Sequence, residues 1–224
     1  MKRILYISYD GLLDPLGASQ ILPYVLNIAS SSQYFHIVSF EKNDTLHEGG
    51  DELRAMLISK GIRWTPLLFS LKLKPISKIY DLIKMHLCCL IICITRSIAI
   101  VHARSHLSAQ VGLFLKAFCS LKLIFDFRGL WVDERVDKGG WDLSSSFHRF
   151  QFNLFKRIEK KLLQKSDQII VLTNAVVSEV CKIANISALK ITVIPCCADY
   201  DHFKPMDEEG VRKARIKLNI PEES

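Results

Sequence analysis

Charged and aromatic side chains crowd one segment in the middle of the chain, directly after an apolar run typical of a buried strand. The segment reads Asp126-Phe-Arg128-Gly-Leu-Trp131-Val-Asp133-Glu134. Burying such charges is costly unless they meet partners or a ligand. Asp133 or Glu134 can orient an attacking hydroxyl, and Arg128 can neutralise negative charge on a departing phosphate. An internal Asp–Arg network that only shapes the loop is the alternative interpretation.

A second candidate site follows another apolar run, at Arg104-Ser105-His106. A guanidinium fork beside a hydroxyl and an imidazole suits phosphate or sugar hydroxyls, which it can contact through paired hydrogen bonds. The alternative is that Arg104 pairs with a carboxylate at the edge of the core while His106 caps the next helix.

A third candidate is the loop after the first apolar run, which ends in Gly17-Ala18-Ser19-Gln20. Gly17 and Ala18 permit a close approach of the backbone, and Ser19 is expected to cap a helix whose free N–H groups favour a phosphate. The segment has neither GxGxxG nor GxxxxGK[ST] spacing. A turn that only caps the helix therefore explains this segment as well as a ligand-binding loop does.

The apolar pattern alternates between strand and helix along nearly the whole chain. Strands are predicted at residues 3–9, 34–40, 62–69, 98–103, 121–127, 168–172 and 191–194, and helices at 19–32, 47–60, 76–94, 108–118, 147–162 and 174–184. Residues 128–145 are predicted to be a loop. Apolar strands separated by helices indicate a parallel sheet covered on both faces. We predict an α/β fold with a Rossmann-like, doubly wound, mostly parallel sheet that binds ligands at the carboxyl ends of its strands.

Composition limits the class of protein. The chain has 224 residues, with 30 Lys and Arg against 23 Asp and Glu, and a formal net charge of +7. Hydrophobic residues make up 49%, which excludes a disordered or collagen-like chain. This length supports one large domain, or one domain plus a fragment, without disulfide or metal staples. The seven cysteines show no CxxC spacing, so we expect free thiols and no zinc site.

Basic residues form two groups, one from Lys72 to Arg104 and one from Lys156 to Lys165. Each is either a solvated helix face or a contact with an anionic membrane leaflet. Nucleic acid is not expected as a partner, because no DNA- or RNA-reading module is visible. The apolar run from Leu87 to Ile94 is bounded by Arg96 and is predicted to be a buried helix, not a membrane span. Without a signal peptide after Met1, we expect a cytoplasmic protein with possible peripheral contact at the cytoplasmic membrane face.

Five segments, in this order, resemble the N-terminal half of the retaining glycosyltransferases of family 4, which have the two-domain GT-B fold. They are residues 9–23, 102–105, 125–134, 171–173 and 194–205. The resemblance implies that residues 1–194 form the Rossmann-like N-terminal domain. Residues 195–224 would then be the interdomain linker and the start of a C-terminal domain that is absent from this sequence.

The resemblance also implies a function. The complete enzyme would transfer a sugar from a nucleotide-sugar to a glycan or polyprenyl-linked acceptor with retention, in cell-surface polysaccharide synthesis, with no cofactor and no metal. This half would bind the acceptor and be inactive by itself, because the family holds the donor mainly in the second domain. The family uses two glutamates eight positions apart for the donor, and no two glutamates in this sequence have that spacing.

By the same resemblance, the substrate-binding residues are Gly17, Ala18, Ser19, Gln20, Arg104, Ser105, His106, Asp126 and Trp131, and the catalytic candidates are Arg128, Asp133 and Glu134. The position of Arg128 often carries a histidine in this family, so a histidine's role is not transferred to it. Cys197 stands where a glycine is common in the linker.

Other functions are consistent with the same residues. The chain can be a non-catalytic module that binds an acceptor or a membrane. It can also be one subunit of a split transferase, whose partner would cover an apolar face at Cys196, Cys197, Tyr200 and Phe203. A nucleotide-binding oxidoreductase needs a similar sheet, but no GxGxxG follows the first strand.

Overall fold

A single seven-stranded parallel sheet organises the protein. The structure is a computed structural model that describes residues 2–28, 34–70, 76–196 and 204–221. The strands are β1 (Arg3–Ser8), β2 (Tyr34–Glu41), β3 (Arg63–Leu68), β4 (Ile100–Arg104), β5 (Lys122–Asp126), β6 (Gln168–Val171) and β7 (Ile191–Val193). Their order is β3-β2-β1-β4-β5-β6-β7, and every neighbouring pair is parallel. The predicted Rossmann-like, doubly wound sheet is confirmed.

Helices cover both faces of the sheet because the strands are apolar on both faces. The helices are α1 (Pro15–Gln20), α2 (Leu22–Ile28), α3 (Asn43–Ser59), α4 (Ile76–Arg96), α5 (Ser105–Phe118), α6 (Trp131–Asp137), α7 (Ser146–Lys165), α8 (Val177–Ala184) and α9 (Glu208–Lys217). One core packs α2 and α3 against the sheet, through Val25, Leu53 and Leu57. The opposite core packs α4, α5, α7 and α8.

The order of the strands reverses between β1 and β4. The chain moves outward from β1 to β2 and β3, then returns to β4 and moves outward in the other direction. Connections from β1 and β4 therefore leave toward opposite faces, and a crevice remains at the carboxyl ends of these strands. Ligands of doubly wound sheets bind in such a crevice.

Two local predictions are wrong at the segments that approach this crevice. The first helix begins at Pro15, where proline is tolerated because the N–H it lacks would be unpaired there. Ser19 is therefore not a helix cap, and its hydroxyl donates to the Pro15 carbonyl at 2.7 Å. The predicted loop at 128–145 contains α6, a short helix that buries Val132 alone and so shows no apolar period.

The apolar run from Leu87 to Ile94 lies in α4, but only one side of this helix is buried, so the predicted burial holds in part. Its buried side carries Met85, Cys89 and Cys93. The opposite side exposes Ile79, Tyr80, Ile83, Leu87, Ile91 and Ile94, each by more than half of its surface. Because this helix is apolar on both sides, periodicity could not show which side faces the sheet. We call these six residues the apolar face of α4.

The cysteines that the structure describes are free thiols, as predicted. They are Cys88, Cys89, Cys93, Cys119, Cys181 and Cys196. Burial raises the pKa of Cys93 to about 12 and raises that of Cys89 as well, so both thiols stay protonated and pack as apolar groups. Cys197, Tyr200 and Phe203 lie outside the described residues, so the apolar face predicted there is not tested.

Gly17 is the tightest contact between α1 and the strand-one loop. A Cβ at this position would lie 1.9 Å from the Gly11 carbonyl oxygen and 2.7 Å from the Leu12 Cα. Both are backbone atoms, so a larger residue forces the helix away from the loop.

We predict that Gly17→Ala lowers the free energy of unfolding by at least about 2 kcal/mol, although alanine favours helix. Gly49→Ala is the control, because its Cβ would approach only the flexible Leu13 Cδ2, at 3.3 Å. The control should leave stability unchanged or raise it by up to about 1 kcal/mol. Urea unfolding measures both. Equal stability of the two variants would contradict the close approach.

Candidate functional site

Charged side chains meet where β4 and β5 end beside β1. In the parallel register, Ser8 is paired with Arg104, and Arg104 is paired with Asp126. Side chains at paired positions point to the same face of a sheet, so Arg104 and Asp126 lie side by side. Arg128 follows two residues after β5 and reaches the same place.

Gln20 joins the two arginines. Its Oε1 accepts a hydrogen bond from Arg104 Nη2 at 2.8 Å and another from Arg128 Nη2 at 2.7 Å. Two guanidinium groups on one acceptor repel each other, so a nearby negative charge is needed to offset this repulsion. Asp126 supplies that charge, because its carboxylate lies 3.5 Å from Arg128 Nη1 and 3.9 Å from Arg104 Nη1. Asp10 adds a second carboxylate, 3.5 Å from Arg104 Nε.

The Asp126 carboxyl is ionised in this setting. Burial raises its pKa, but the neighbouring His102, Arg128 and Arg104 outweigh burial and hold the pKa below its usual range. His102 Nε2 lies 3.7 Å from Asp126 Oδ2, so this attraction acts without a hydrogen bond. Asp126 therefore serves as a fixed negative charge between the two arginines.

Several buried polar atoms of this cluster have no hydrogen-bond partner. They are Arg104 Nε and Nη1, His102 Nε2 and Asp126 Oδ1. Arg104 is only 2% exposed. Buried polar atoms are nearly always hydrogen-bonded, because leaving them unpaired costs free energy. The cluster therefore has unused donors and an unused acceptor that a polar ligand or water can satisfy.

A cavity of about 80 Å³ lies against the cluster. Its polar lining comes from Tyr6, Gln20, Tyr24, His102, Asp126 and Arg128, and its apolar lining from Val25, Phe35, Ile170 and Ile194. Burial is the main cause that raises the pKa of Tyr6, so its phenol stays neutral and keeps its proton. The cavity thus combines apolar walls with a few convergent polar groups, but its volume is that of a few water molecules and is well below the roughly 300–1,000 Å³ of a pocket that encloses a whole ligand.

The segment after β7 crosses this cavity. Tyr24 donates its hydroxyl proton to the Pro195 carbonyl. Arg128 Nη2 donates to Cys196 Sγ at 3.1 Å. The chain that leaves the last strand is therefore held against the same side chains that line the cavity.

A second charged network lies on the other side of the β4 and β5 ends. The His106 ring packs on Phe125 and Trp131, with centroids 5.5 and 5.7 Å away. Its Nε2 contacts the fully buried Glu159 at 2.9 Å. Lys156 bridges Glu159 at 2.7 Å and Asp133 at 2.8 Å. This network joins α5, α6 and α7.

Ser105 separates the two networks. Its φ of 66° lies in the left-handed region, which is uncommon for a residue other than glycine. The sharp turn at Ser105 directs Arg104 into the cluster with Gln20, whereas His106 enters the network with Glu159.

The structure brings together four of the residues proposed from sequence, namely Gln20, Arg104, Asp126 and Arg128. The others lie elsewhere. Glu134 is half-exposed and pairs with Lys138 at 2.8 Å, and Trp131 packs against Trp141 and Phe155. Gly17 packs on the loop, and Ala18 and Ser19 are exposed. The roles assigned to these residues stay predictions.

Sequence analysis missed Tyr6, Tyr24 and His102 as site residues. His102 precedes Arg104 by two positions in a strand, so the two-residue period places both on one face of the sheet. Tyr6 is paired with His102 in the register. The strand period was therefore a usable signal for His102, whereas Tyr6 and Tyr24 require knowledge of which strands and helices are neighbours.

The residues that the structure describes hold neither a metal-binding cluster nor a membrane-spanning helix. No three His, Cys, Asp or Glu side chains converge so that they could hold a metal ion in this part of the chain. Within the same residues, no helix combines the length and apolarity needed to cross a membrane.

The seven-stranded parallel sheet with helices on both faces has the fold of the Rossmann-like half of GT-B glycosyltransferases. The chain belongs to Glycosyltransferase Family 4, because a sequence profile of that family matches residues 35–202, three quarters of the chain. No curated protein matches the sequence significantly.

Solved structures support the fold. A sucrose-phosphate synthase from Thermosynechococcus elongatus superposes with a TM-score of 0.63 at 17% identity, covering 99% of this chain and 53% of its own. A glycosyltransferase from Rickettsia africae gives 0.60 at 16% identity, covering 98% and 50%. The Anabaena HepE protein, in complex with UDP-glucose, gives 0.60 at 15% identity with the same coverage. The chain thus spans about half the length of these proteins.

The buried Glu159 generates a prediction about stability. Burial raises its pKa, but His106 and Lys156 outweigh burial and hold the pKa below its usual range. A carboxyl whose pKa is lowered by folding stabilises the protein above its unfolded pKa, and this contribution is lost as pH falls through the folded pKa.

We predict that Glu159→Gln lowers the free energy of unfolding at pH 7 by about 2 kcal/mol, because His106 and Lys156 lose their buried charged partner. The variant should also lose less stability than the wild type as pH falls below about 4.3. Glu48→Gln, on the exposed side of α3, is the control and should stay within about 0.5 kcal/mol of wild type. Urea unfolding at several pH values measures this, and an unchanged acid dependence in Glu159→Gln would refute it.

Proposed function

We propose that this chain is the acceptor-binding half of a glycosyltransferase that transfers a sugar from a nucleotide-sugar to a glycan or lipid-linked acceptor, with retention, in cell-surface polysaccharide synthesis. The observation that carries the proposal is the partly buried cluster of Gln20, Arg104, Asp126 and Arg128, which lies beside a cavity and has polar atoms without a hydrogen-bond partner. Family membership supplies the reaction class.

The cluster suits an acceptor that carries hydroxyls or a phosphate. Nε and Nη1 of Arg104 and Oδ1 of Asp126 have no hydrogen-bond partner, although each lies 3.5–3.9 Å from an opposite charge. Asp126 and Arg128 line the cavity, so these two side chains can face a ligand directly. A sugar hydroxyl both donates and accepts, so it satisfies Asp126 and a guanidinium at once. A phosphate uses the guanidinium donors in pairs. The cavity of about 80 Å³ has room for one such polar group, while the rest of a sugar or prenyl chain would lie outside it.

Arg128 is the residue that we assign to the reacting end of the acceptor. It lines the cavity and also contacts Cys196, which begins the segment that we propose as the interdomain linker, residues 195–224. In this position its charge can stabilise a departing phosphate that a second domain holds. Asp133 and Glu134 were predicted as catalytic, but their lysine partners favour a role in shaping α6.

We propose that the donor binds mainly to a second domain and needs neither cofactor nor metal. The Anabaena protein binds UDP-glucose, and this chain spans half of that protein. The complementary half is expected to supply the donor site, either in the same polypeptide or as a separate subunit. The chain of residues 1–224 is therefore expected to have no transferase activity alone.

Calorimetric titration of the 224-residue chain tests the proposal. The probes are a set of nucleotide-sugars, nucleoside diphosphates, and a water-soluble prenyl diphosphate that carries one hexose. We expect saturable binding of the prenyl-linked sugar and no binding of the nucleotides. Micromolar binding or turnover of a nucleotide-sugar would refute the assignment, because this chain would then hold a complete donor site. Absence of binding by every acceptor probe would also count against it.

We predict that Gln20→Ala weakens binding of the prenyl-linked sugar about tenfold, because both arginines lose the acceptor that positions them. Asn27→Ala, in α2, is the matched control. Its side-chain amide is exposed and donates to the Pro23 carbonyl of its own helix, so binding should not change. Equal losses in the two variants would show that Gln20 acts only through the fold.

A further inference from the structure

The apolar face of α4 is large for a protein surface. Its six residues, 79, 80, 83, 87, 91 and 94, are 52–67% exposed and follow helical spacing along 21 residues of helix. The only acid of α4, Asp81, is buried and binds Ser70 and Lys84. Extended exposed apolar patches mark an interaction surface.

The outer face of α7 carries both exposed apolar side chains and exposed basic ones. Phe147, Phe150 and Leu154 are 65%, 64% and 41% exposed, and Arg157 and Lys161 continue the same face at helical spacing. Further exposed cations of this helix are Arg149, Lys160 and Lys165. The only acid of α7 is Glu159, which is buried against His106 and Lys156. The exposed charge of α7 is therefore entirely positive.

Both faces belong to one helical layer. Helix α5 packs against α4 on one side and against α7 on the other. Each helix buries the opposite side in the core that faces the sheet, so both outer faces point away from the sheet. Phe118, at the end of α5, is 69% exposed in the same layer. Helix α7 begins at the carboxyl edge of the sheet, so Phe147 and Phe150 lie toward the edge that holds the cavity.

We propose that this layer docks on an anionic lipid bilayer. Ile, Leu and Tyr side chains of the apolar face of α4, together with the exposed aromatic residues of α7, enter the boundary between headgroups and acyl chains. The five exposed cations of α7 contact lipid phosphates. An amphipathic surface that combines apolar and basic residues binds anionic membranes in this way.

Charge favours a bilayer over a second copy of this chain. A two-fold dimer centred on the apolar face of α4 would leave the basic face of α7 without a partner, whereas an anionic bilayer covers both faces. Docking on lipid does not depend on the proposed sugar transfer, because it needs no donor or acceptor. The two proposals can therefore fail separately.

Vesicle flotation of the 224-residue chain tests the proposal. Vesicles contain either phosphatidylcholine alone or 30% phosphatidylglycerol in phosphatidylcholine. We expect the chain to float with the phosphatidylglycerol vesicles at low salt, to float weakly with phosphatidylcholine, and to be released by high salt. Absence of flotation, or flotation that is independent of phosphatidylglycerol, would overturn the proposal.

Two pairs of variants assign the binding to this surface. Leu87→Ser with Ile91→Ser should reduce partitioning at least about tenfold. The matched control, Met56→Ser with Ile58→Ser, removes exposed apolar residues from α3 in the opposite layer and should have no effect.

The basic residues are tested in the same way. Replacing Arg157, Lys160 and Lys161 together by Gln should reduce partitioning on the order of a hundredfold. The control with the same change in net charge replaces Lys2, Lys60 and Lys122 by Gln.

Circular dichroism verifies that each variant is folded, and light scattering measures its mass in solution. Equal losses in a surface variant and its control would overturn the assignment. The wild type could instead form a dimer that the Leu87→Ser, Ile91→Ser variant does not form, and fail to bind vesicles. That result would show that a second copy covers this face and would refute the lipid proposal.

Discussion

The site depends on the close approach of α1 to the loop after β1. Gly17 lets the helix lie directly on the Gly11 and Leu12 backbone. That loop is in turn held from β2, because the buried Glu41 carboxylate accepts the N–H groups of Leu12 at 2.8 Å and Leu13 at 3.3 Å. Gln20, one turn after Gly17, then reaches the arginines that end β4 and follow β5. A shift of α1 would leave the buried Arg104 and the partly buried Arg128 without their common acceptor.

Electrostatics divides the carboxyl edge of the sheet into two regions with different properties. Around Glu159, each charge has a close partner and the aromatic rings exclude water, so this network stabilises the fold. Around Asp126, the ion pairs are 3.5 Å or longer and several polar atoms are unpaired. Unpaired groups in a cavity lower the stability of the empty protein, but they can bind a polar ligand. This difference is why we assign the ligand to the Asp126 side.

The outer surface of the molecule also differs between its two layers. The α2 and α3 layer exposes few large apolar side chains, among them Met56 and Ile58. The α4, α5 and α7 layer exposes a continuous apolar helix face and a basic one. The net charge of +7 is therefore unevenly distributed, with a cationic helix whose acid is buried. Such an asymmetry suits a protein that works with one layer against an anionic surface.

The sequence by itself determined the class of fold and the location of the site. Apolar strands alternate with helices, and this pattern admits few arrangements other than a doubly wound parallel sheet. In that sheet, residues that follow strands must gather at one edge, so Arg104, Asp126 and Arg128 were predictable as neighbours. Helix α6 was not predictable, because it buries one side chain and has no apolar period.

Only the tertiary structure decided how the neighbouring residues are used. Arg104 and His106 are two positions apart, yet the left-handed turn at Ser105 sends them to different networks. Asp133 became a partner of Lys156, twenty-three residues away, instead of a cavity residue. The sheet also decided which side of α4 is buried. Local sequence describes the period of a helix, but the partner that covers each face is set by contacts between residues distant in the chain.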